Sequence, residues 1–338
     1  MELLDRIDST SAIPKYLQVV NAVIEDIEAG ILKRGERVPS INETSEMYYL
    51  SRDTIEKAYR ILRKKGVISS VKGKGCYISN SFSANKTRVL LLFNKLSAYK
   101  KAIYYSMLKV LGENAVVDLH IHHYDGTICA NLIQENLGKY DYYVVMPHIS
   151  TNAEAFTQAL NKIPDDKLIL LDKNIDTYKG KCGAVYQDFE RDIRRALHSG
   201  EDLLSKYNKF VLVYPREISY PIEIVKGFRQ FCREMSIEHS VVGCVHQEPL
   251  VPGTAFLILE ESDLANLITE TRAQKLELGK DIGLISYNDT PLKKILDAGI
   301  TVVSTDHELM GETAGYMIKK KLKEKVHNPF TLIRRSSL

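Results

Sequence analysis

The sequence predicts a two-part α/β protein: a small module of three helices and a hairpin, then a larger body of parallel sheets and helices. Three observations carry this. The chain is 338 residues long, which at roughly 150 residues per domain allows about two domains. Residues 14–78 combine helical periodicity, cap signals and a basic surplus. From Arg88 onwards ten short apolar runs appear, most of them separated by helical stretches. A composition of 44% hydrophobic and 26% charged residues fits a buried globular core and excludes disordered, collagen-like and coiled-coil chains. No stretch approaches the ~18 uninterrupted apolar residues of a membrane span, and residues 1–5 lack the basic and apolar regions of a secretory signal. Cys76, Cys129, Cys182, Cys232 and Cys244 are scattered without a CxxC pair. Reduced thiols and a cytoplasmic address are the expectation.

In the first module, Pro14 opens a helix with Leu17, Val20, Ile24, Ile27 and Ile31 on one face. Gly30 falls near its end, and Gly35 with Pro39 marks a turn. Ser40, with Glu43 three residues later, makes a capping box for a short second helix ending near Tyr49. Ser51 caps a third helix that turns Ile55, Ala58, Tyr59 and Leu62 inward and Arg52, Asp53, Glu56, Lys57, Arg60 and Lys64 outward. Gly66 stops it after the Arg63-Lys64-Lys65 triplet has set positive charge against the helix's negative end. Extended runs at 67–71 and 76–78 are joined by Lys72, Gly73, Lys74 and Gly75, a hairpin with a basic glycine tip.

Net charge is only +3, but between Lys33 and Lys74 eleven Lys and Arg face five acids. A polyanion partner is expected for this module alone. Two helices joined by a tight turn, the second exposing Arg and Lys, form a helix-turn-helix. Ser51, Arg52, Thr54 and Lys57 are then expected to face DNA base edges and phosphates. Arg52 is the favoured base reader, because a guanidinium can engage guanine bidentately. The tip at Lys72, Gly73, Lys74 and Gly75 is expected to approach the neighbouring phosphates.

The residues Pro14-Lys15-Tyr16, Val38-Pro39-Ser40, Leu50-Ser51-Arg52-Asp53-Thr54, Ala58-Tyr59, Gly66-Val67-Ile68 and Gly73-Lys74-Gly75 resemble the winged-helix signature of GntR-family regulators. The resemblance covers nearly all of 13–78. It implies operator DNA as partner, with contacts at Arg37, Ser40, Ser51, Arg52, Thr54 and the 73–75 wing. Many members carry Arg where Asn42 and Glu56 stand here, which implies a departure from the commonest operator sequences.

Residues 79–87 are small and polar, as a linker should be. The apolar runs of the body lie at 89–93, 116–121, 142–146, 168–171, 184–186, 210–214, 241–245, 255–259, 282–285 and 301–303. Ten such runs exceed one comfortable sheet, so two similar lobes are predicted over 88–330. The order and spacing of Leu170-Leu171-Asp172, Ala184-Val185-Tyr186-Gln187-Asp188, Lys226-Gly227-Phe228, the stretch 282–289 and the stretch 300–306 with Gly311 and Ala314 resemble the periplasmic-binding-protein-like effector domain of Lac-repressor-type regulators. Together with the winged helix this resembles the arabinose-repressor type of chimaera.

In two-lobed folds of this kind the ligand lies between the lobes, at the carboxyl ends of the strands. The polar residues there include Asn94, Asp172, Gln187, Asp188, Arg216, Glu261, Asn288 and Asp306, with Lys95, Lys173, Glu217 and Asp263 beside them. Carboxylates, amides and one Arg suit sugar hydroxyls, each of which donates and accepts. Tyr99, Tyr186, Tyr214 and Tyr287 offer faces for the C–H side of a sugar ring. By family position Asp172, Gln187 and Asn288 are favoured. Sugar repressors usually carry Arg three residues before the Gly-aromatic pair; Ile224 stands there, and Arg216 is the candidate to replace it.

The expectation is a homodimeric transcription regulator of carbohydrate utilisation genes, a repressor released by a monosaccharide or sugar phosphate. The alternative is a DNA-tethered enzyme acting on a metabolite in the cleft, which would need an activated nucleophile or cofactor; neither is visible. An exported solute-binding protein conflicts with the DNA module and the absent signal. His120 and His122 share a strand face but lack a supporting Cys or acid pattern, so they read as a surface strand, and no metal or cofactor is expected. Lys319 to Lys323 read as the solvated face of a terminal helix, and Arg334 and Arg335 as part of a disordered tail, 331–338.

Overall fold

The computed structural model describes residues 7–8, 10–71, 73–79, 86–175, 178, 180–215 and 220–338. The first module contains α1 (Lys15–Glu28), β1 (Arg37–Val38), α2 (Ile41–Tyr48), α3 (Arg52–Lys64), β2 (Ile68–Val71) and β3 (Gly75–Ile78). The three strands form an antiparallel sheet in the order β1-β3-β2. Apolar residues of α1 and α3, among them Val20, Ile55, Ala58 and Leu62, bury a common core with Val38, Val67 and Ile78. Tyr59 extends into that core and donates its hydroxyl to Pro39 O at 2.7 Å, which fixes the turn ahead of α2.

Both cap signals are realised. Ser40 Oγ accepts from Glu43 N, and the Glu43 carboxylate accepts from Ser40 N. Ser51 Oγ accepts from Thr54 N. Ser40→Ala is expected to cost about 1 kcal/mol, read as a lower denaturant midpoint at unchanged slope. A cost below a few tenths would mean that packing alone holds α2. Two differences from the sequence reading stand out. The chain leaves the helix at Glu28 and Gly30 turns it with φ +72°, so Ile31 falls off the apolar face and is 59% exposed. The two-residue β1 lacks any alternating pattern and exists only through its pairing with β3.

The body has two lobes of one topology. The first sheet has the order β5-β4-β6-β7-β8-β14. Its strands are β4 (Thr87–Phe93), β5 (Ala115–Ile121), β6 (Tyr142–Val145), β7 (Leu168–Asp172), β8 (Gly183–Tyr186) and β14 (Lys325–His327), all parallel. Helices α4 (Ala98–Leu111) and α12 (His307–Lys320) cover one face, and α5 (Gly126–Asn136) and α6 (Ala153–Leu160) the other.

The second sheet has the order β10-β9-β11-β12-β13-β15. It contains β9 (Lys209–Val213), β10 (Glu238–Val242), β11 (Thr254–Ile258), β12 (Ile282–Tyr287), β13 (Thr301–Thr305) and an antiparallel edge strand, β15 (Phe330–Ile333). Helices α7 (Phe189–His198), the short α8 (Glu201–Leu204) and α9 (Glu223–Glu234) pack on one face and α10 (Glu261–Ala273) on the other. The chain crosses between lobes three times: after β8, after β13, and between β14 and β15.

Of the expected linker, residues 80–85 lie outside the described residues, and Thr87 already belongs to β4. The tail is a correction. Residues 330–333 pair with β13, and Ser337 Oγ donates to Leu284 O and accepts from Thr301 N. Arg335 binds the Asp289 carboxylate at 2.8 Å. A polar Arg-Arg-Ser-Ser string looks disordered by composition, but here Arg335 and Ser337 satisfy backbone groups at Ile300, Thr301 and Leu284, while Arg334 pairs with Asp202 and Ser336 donates to Gly299 O. The histidine expectation is corrected as well. His120 is exposed, whereas His122 is fully buried, with Nε2 3.0 Å from Met146 O. Burial pushes the His122 imidazole down to about 4, so it is neutral. Lys319 and Lys320 close α12 in solvent, as expected.

Candidate functional site

Two regions gather the chemistry. On the first module, Arg37, Ser40, Ser51, Arg52, Lys57, Gly73, Lys74 and Gly75 are exposed and Thr54 is half-buried. Lys72 lies outside the described residues. Arg52 is the first residue of α3, where the Ser51 cap fixes the backbone and the inward face is locked by Ile55 and Tyr59. The Ser51 and Thr54 hydroxyls bond each other at 2.8 Å. Lys57 is partly engaged, its ammonium lying 4.0 Å over the Tyr16 ring. At the hairpin, Gly73 and Gly75 have φ of +75° and +103°, conformations that favour glycine. A Cβ at Gly75 would lie 3.3 Å from Arg37 Nε, so Arg37 sits against the hairpin tip. An exposed helix N-terminus and an exposed basic glycine hairpin make a surface suited to phosphate and base contacts.

The second region is the cleft between the lobes. Because the strands are parallel and point their carboxyl ends there, the helices that follow begin there, and their first turns supply the lining. Tyr99 and Lys100 come from α4, Phe189 from α7, Ile224 from α9 and His307 from α12. Strand ends add Asn94, Asp172, Gln187 and Asn288. The cleft is narrow and open at its mouth, with a cavity volume of about 40 Å³.

Asp172 and Asn288 end the topologically equivalent strands β7 and β12, and both take left-handed backbone, φ +70° and +63°. Asp and Asn tolerate that region better than other side chains. Asp172 Oδ2 lies 2.7 Å from His148 Nε2, and Gln187 Nε2 donates to Oδ1. Burial acts to raise the Asp172 carboxyl, but the hydrogen bond and charge of His148, with Lys100 and Gln187, outweigh it and hold it at about 2. Lys293 of α11 (Pro291–Ile295) is buried and donates to Tyr287 O at 2.9 Å and Asn288 O at 2.8 Å, fixing the turn that presents the Asn288 amide. His307, pushed down to about 4 by burial, lies against Tyr99 with ring centroids 4.8 Å apart. Two ion pairs span the mouth, Lys95–Glu260 and Lys173–Glu223, each at 3.7 Å.

Of the effector candidates, the cleft brings together Asn94, Tyr99, Asp172, Gln187 and Asn288, and of the other ring candidates Tyr287. Three do not line it. Asp188 and Asp306 are exposed and spend their carboxylates capping α7 and α12, and Glu261 is exposed in the first turn of α10. A strand-end carboxylate directly ahead of a helix is drawn to the free amides there, which explains Asp188 and Asp306. Arg216 and Glu217 lie outside the described residues. Sequence reasoning missed Lys100, Tyr124, His148, Tyr220 and His307. His148 was within reach of the strand-end rule, two residues past the apolar run at 142–146. The helix-borne residues required exact helix starts. Among the described residues no group of three metal-ligating side chains exists, and no helix is long and apolar enough to cross a membrane.

Residues 15–78 match the gntR family of bacterial regulatory proteins, and residues 204–338 match the periplasmic binding protein-like domain. The HTH-type transcriptional repressor YtrA of Bacillus subtilis is 34% identical over 76 residues, 22% of this chain and 58% of that protein. The arabinose metabolism transcriptional repressor of Geobacillus stearothermophilus is 33% identical over 67 residues, 20% of this chain and 18% of that protein. The matches thus span less than two thirds of either relative. In fold, a LacI family transcriptional regulator from Enterococcus faecium with bound ribose superposes with a TM-score of 0.59 at 16% identity, over 74% of this chain and 98% of that one. The chain therefore joins a GntR-family helix-turn-helix domain at its N-terminus to a periplasmic-binding-protein-like domain with the fold of LacI-type regulators.

Proposed function

We propose that the protein is a DNA-binding transcription regulator, a homodimer on a pseudo-palindromic operator, released when a small sugar-type molecule binds between the lobes. Residues 1–78 are the DNA-reading domain and 88–338 the sensor. The observation that carries this reading is the pairing, in one chain, of an exposed Arg52 on a capped helix with a cleft of amides, a carboxylate and tyrosines. Relatives named as transcriptional repressors, one of arabinose metabolism, and a fold neighbour with bound ribose support it. Three crossings join the lobes, so closure on a ligand rotates one against the other. Half-sites one DNA turn apart tolerate little change in the spacing of the two DNA-reading domains, and a small rotation suffices to weaken binding.

The test is selection of duplexes from a random pool, followed by titration of the winner. Arg52→Ala is expected to weaken binding to the selected duplex by about 1–3 kcal/mol and to relax preference at one base pair. Unchanged affinity would remove Arg52 as the base reader, and failure to select any duplex would overturn the DNA-binding reading.

A further inference from the structure

Two carboxylates at the cleft are already answered. Asp172 is held by His148 and Gln187, and Glu260 by Lys95 at 3.7 Å and by the Tyr220 hydroxyl at 2.8 Å. Lys100 has no charged partner in contact. It is 3% exposed and lines the cleft, and its Nζ donates to the neutral Asn94 Oδ1 and lies 5.8 Å from the Phe93 ring centroid. Among the described residues no carboxylate forms an ion pair with it, and Asp172, itself held by His148 and Gln187, favours its charge only from farther off.

A buried amine with no charged group in contact is costly in its charged form. Here it stands beside open space rather than packed side chains. Four helices of ten to fourteen residues (α4, α7, α9 and α12) start at the cleft, and their positive ends add to the potential there. A second polar group is also unanswered: Gln187 is 6% exposed, its amide nitrogen is committed to Asp172, and its Oε1 has no partner. That acceptor wants a hydroxyl donor.

We propose that the molecule held in this cleft is a polyhydroxylated anion, a sugar phosphate or sugar acid, whose negative group sits against the Lys100 ammonium while a hydroxyl donates to Gln187 Oε1. This rests on the carbohydrate reading above and narrows it. A neutral sugar would leave the buried amine with only the distant Asp172 charge, whereas an anion supplies a counter-charge in contact with it where water is scarce. Binding is then linked to protonation. Burial holds the free Lys100 ammonium at about 7, and an anion beside it raises that value, so the complex takes up a proton above neutral pH. The groups that face Lys100 are Lys95, His122, His148, Asp172 and His307. Of these, His122 and His307 are held at about 4 and Asp172 at about 2, so none of the three titrates near pH 8.

The experiment uses two matched sets: D-glucose, glucose 6-phosphate and gluconate; and D-ribose, ribose 5-phosphate and ribonate. Inorganic phosphate is the control. Each is titrated calorimetrically at pH 8 in two buffers of different ionisation enthalpy, into the full chain and into Lys100→Met. At least one anion is expected to bind tenfold or more tighter than its neutral parent, with proton uptake. Lys100→Met should remove both the advantage and the uptake while the unliganded protein melts at the same temperature or higher. Which of the phosphate and the carboxylate wins identifies the anion.

A neutral sugar that binds better than both its anions, unaffected by Lys100→Met, would overturn the anion assignment and leave the carbohydrate cleft standing. Inorganic phosphate binding as tightly as any sugar derivative would overturn the polyol part. Silence from both sets would overturn the carbohydrate reading and the proposal with it.

Discussion

Asp172→Ala is expected to destabilise the sensor by about 3–5 kcal/mol and to abolish its response to ligand. The carboxylate is the common acceptor for His148 Nε2 and Gln187 Nε2 and the negative charge nearest in effect to the Lys100 ammonium. Removing it leaves the His148 and Gln187 donors without their acceptor and takes away the charge that favours the buried Lys100 ammonium, in space too polar to collapse. Alanine also fits poorly at φ +70°, a cost of about 1–2 kcal/mol that aspartate lessens through its own side chain. Asp172→Asn separates the two contributions, since it keeps the backbone preference and one acceptor but loses the charge.

The acid limb supplies a second reading of the same group. The folded-state carboxyl is held at about 2, below its ordinary 3.8, so its contribution is full above pH 4 and is lost as pH falls towards 2. The loss over that window is on the order of 2 kcal/mol. The asparagine variant should flatten it. A denaturant midpoint for Asp172→Ala within about 0.5 kcal/mol of the parent would show that the Asp172–His148–Gln187 cluster does not hold the cleft together.

Gly311→Ala is expected to cost about 3 kcal/mol, and for a different reason. Helices α4 and α12 cross so closely that a Cβ at Gly311 would fall within the radii of the Ile103 carbonyl oxygen and the Ser106 hydroxyl. Ordinarily alanine gains 0.5–1 kcal/mol over glycine inside a helix. Here the obstacle is backbone, which cannot rotate away, so the helices must separate and strip contact from Ile103, Met107, Met310 and Ala314. Gly227 plays the same part between α7 and α9 against the Glu190 carbonyl. Both variants should melt at lower temperature, and their double mutant should lose roughly the sum, because the contacts lie in different lobes. A Gly311→Ala protein as stable as its parent would mean that the α4–α12 crossing has slack.

The parts of the fold with strong local signals were legible in advance. The Ser40–Glu43 box, the Ser51 cap and the inward row of Ile55, Ala58, Tyr59 and Leu62 are decided within a few residues of chain, and so are the apolar runs of the two lobes, except that the strand expected at 241–245 lies at Glu238–Val242. What escaped was decided by distant partners. Strand β1 exists because β3 lies beside it, and residues 330–338 are ordered by the exposed edge of β13 and by Asp289. His122 reads as a surface residue until the β5–α5 connection folds it beneath Met146.

The cleft divides the same way. Asn94, Asp172, Gln187 and Asn288 follow from asking what stands at the carboxyl end of each strand. Lys100, Tyr124, Tyr220 and His307 stand on helix starts or loops whose direction only tertiary packing sets. The carboxylates at Asp188 and Asp306 answer to the nearer demand of helix amides rather than to a ligand.

On the proposed function, occupancy of the interlobe cleft controls DNA binding by the first module. Its most direct test is fluorescence anisotropy of the selected duplex, with wild type and Asn288→Ala titrated in the absence and in the presence of a saturating cleft ligand. Ligand is expected to weaken wild-type affinity tenfold or more and to leave Asn288→Ala, at the same concentration, on the DNA. Equal wild-type affinity with and without bound ligand would contradict it.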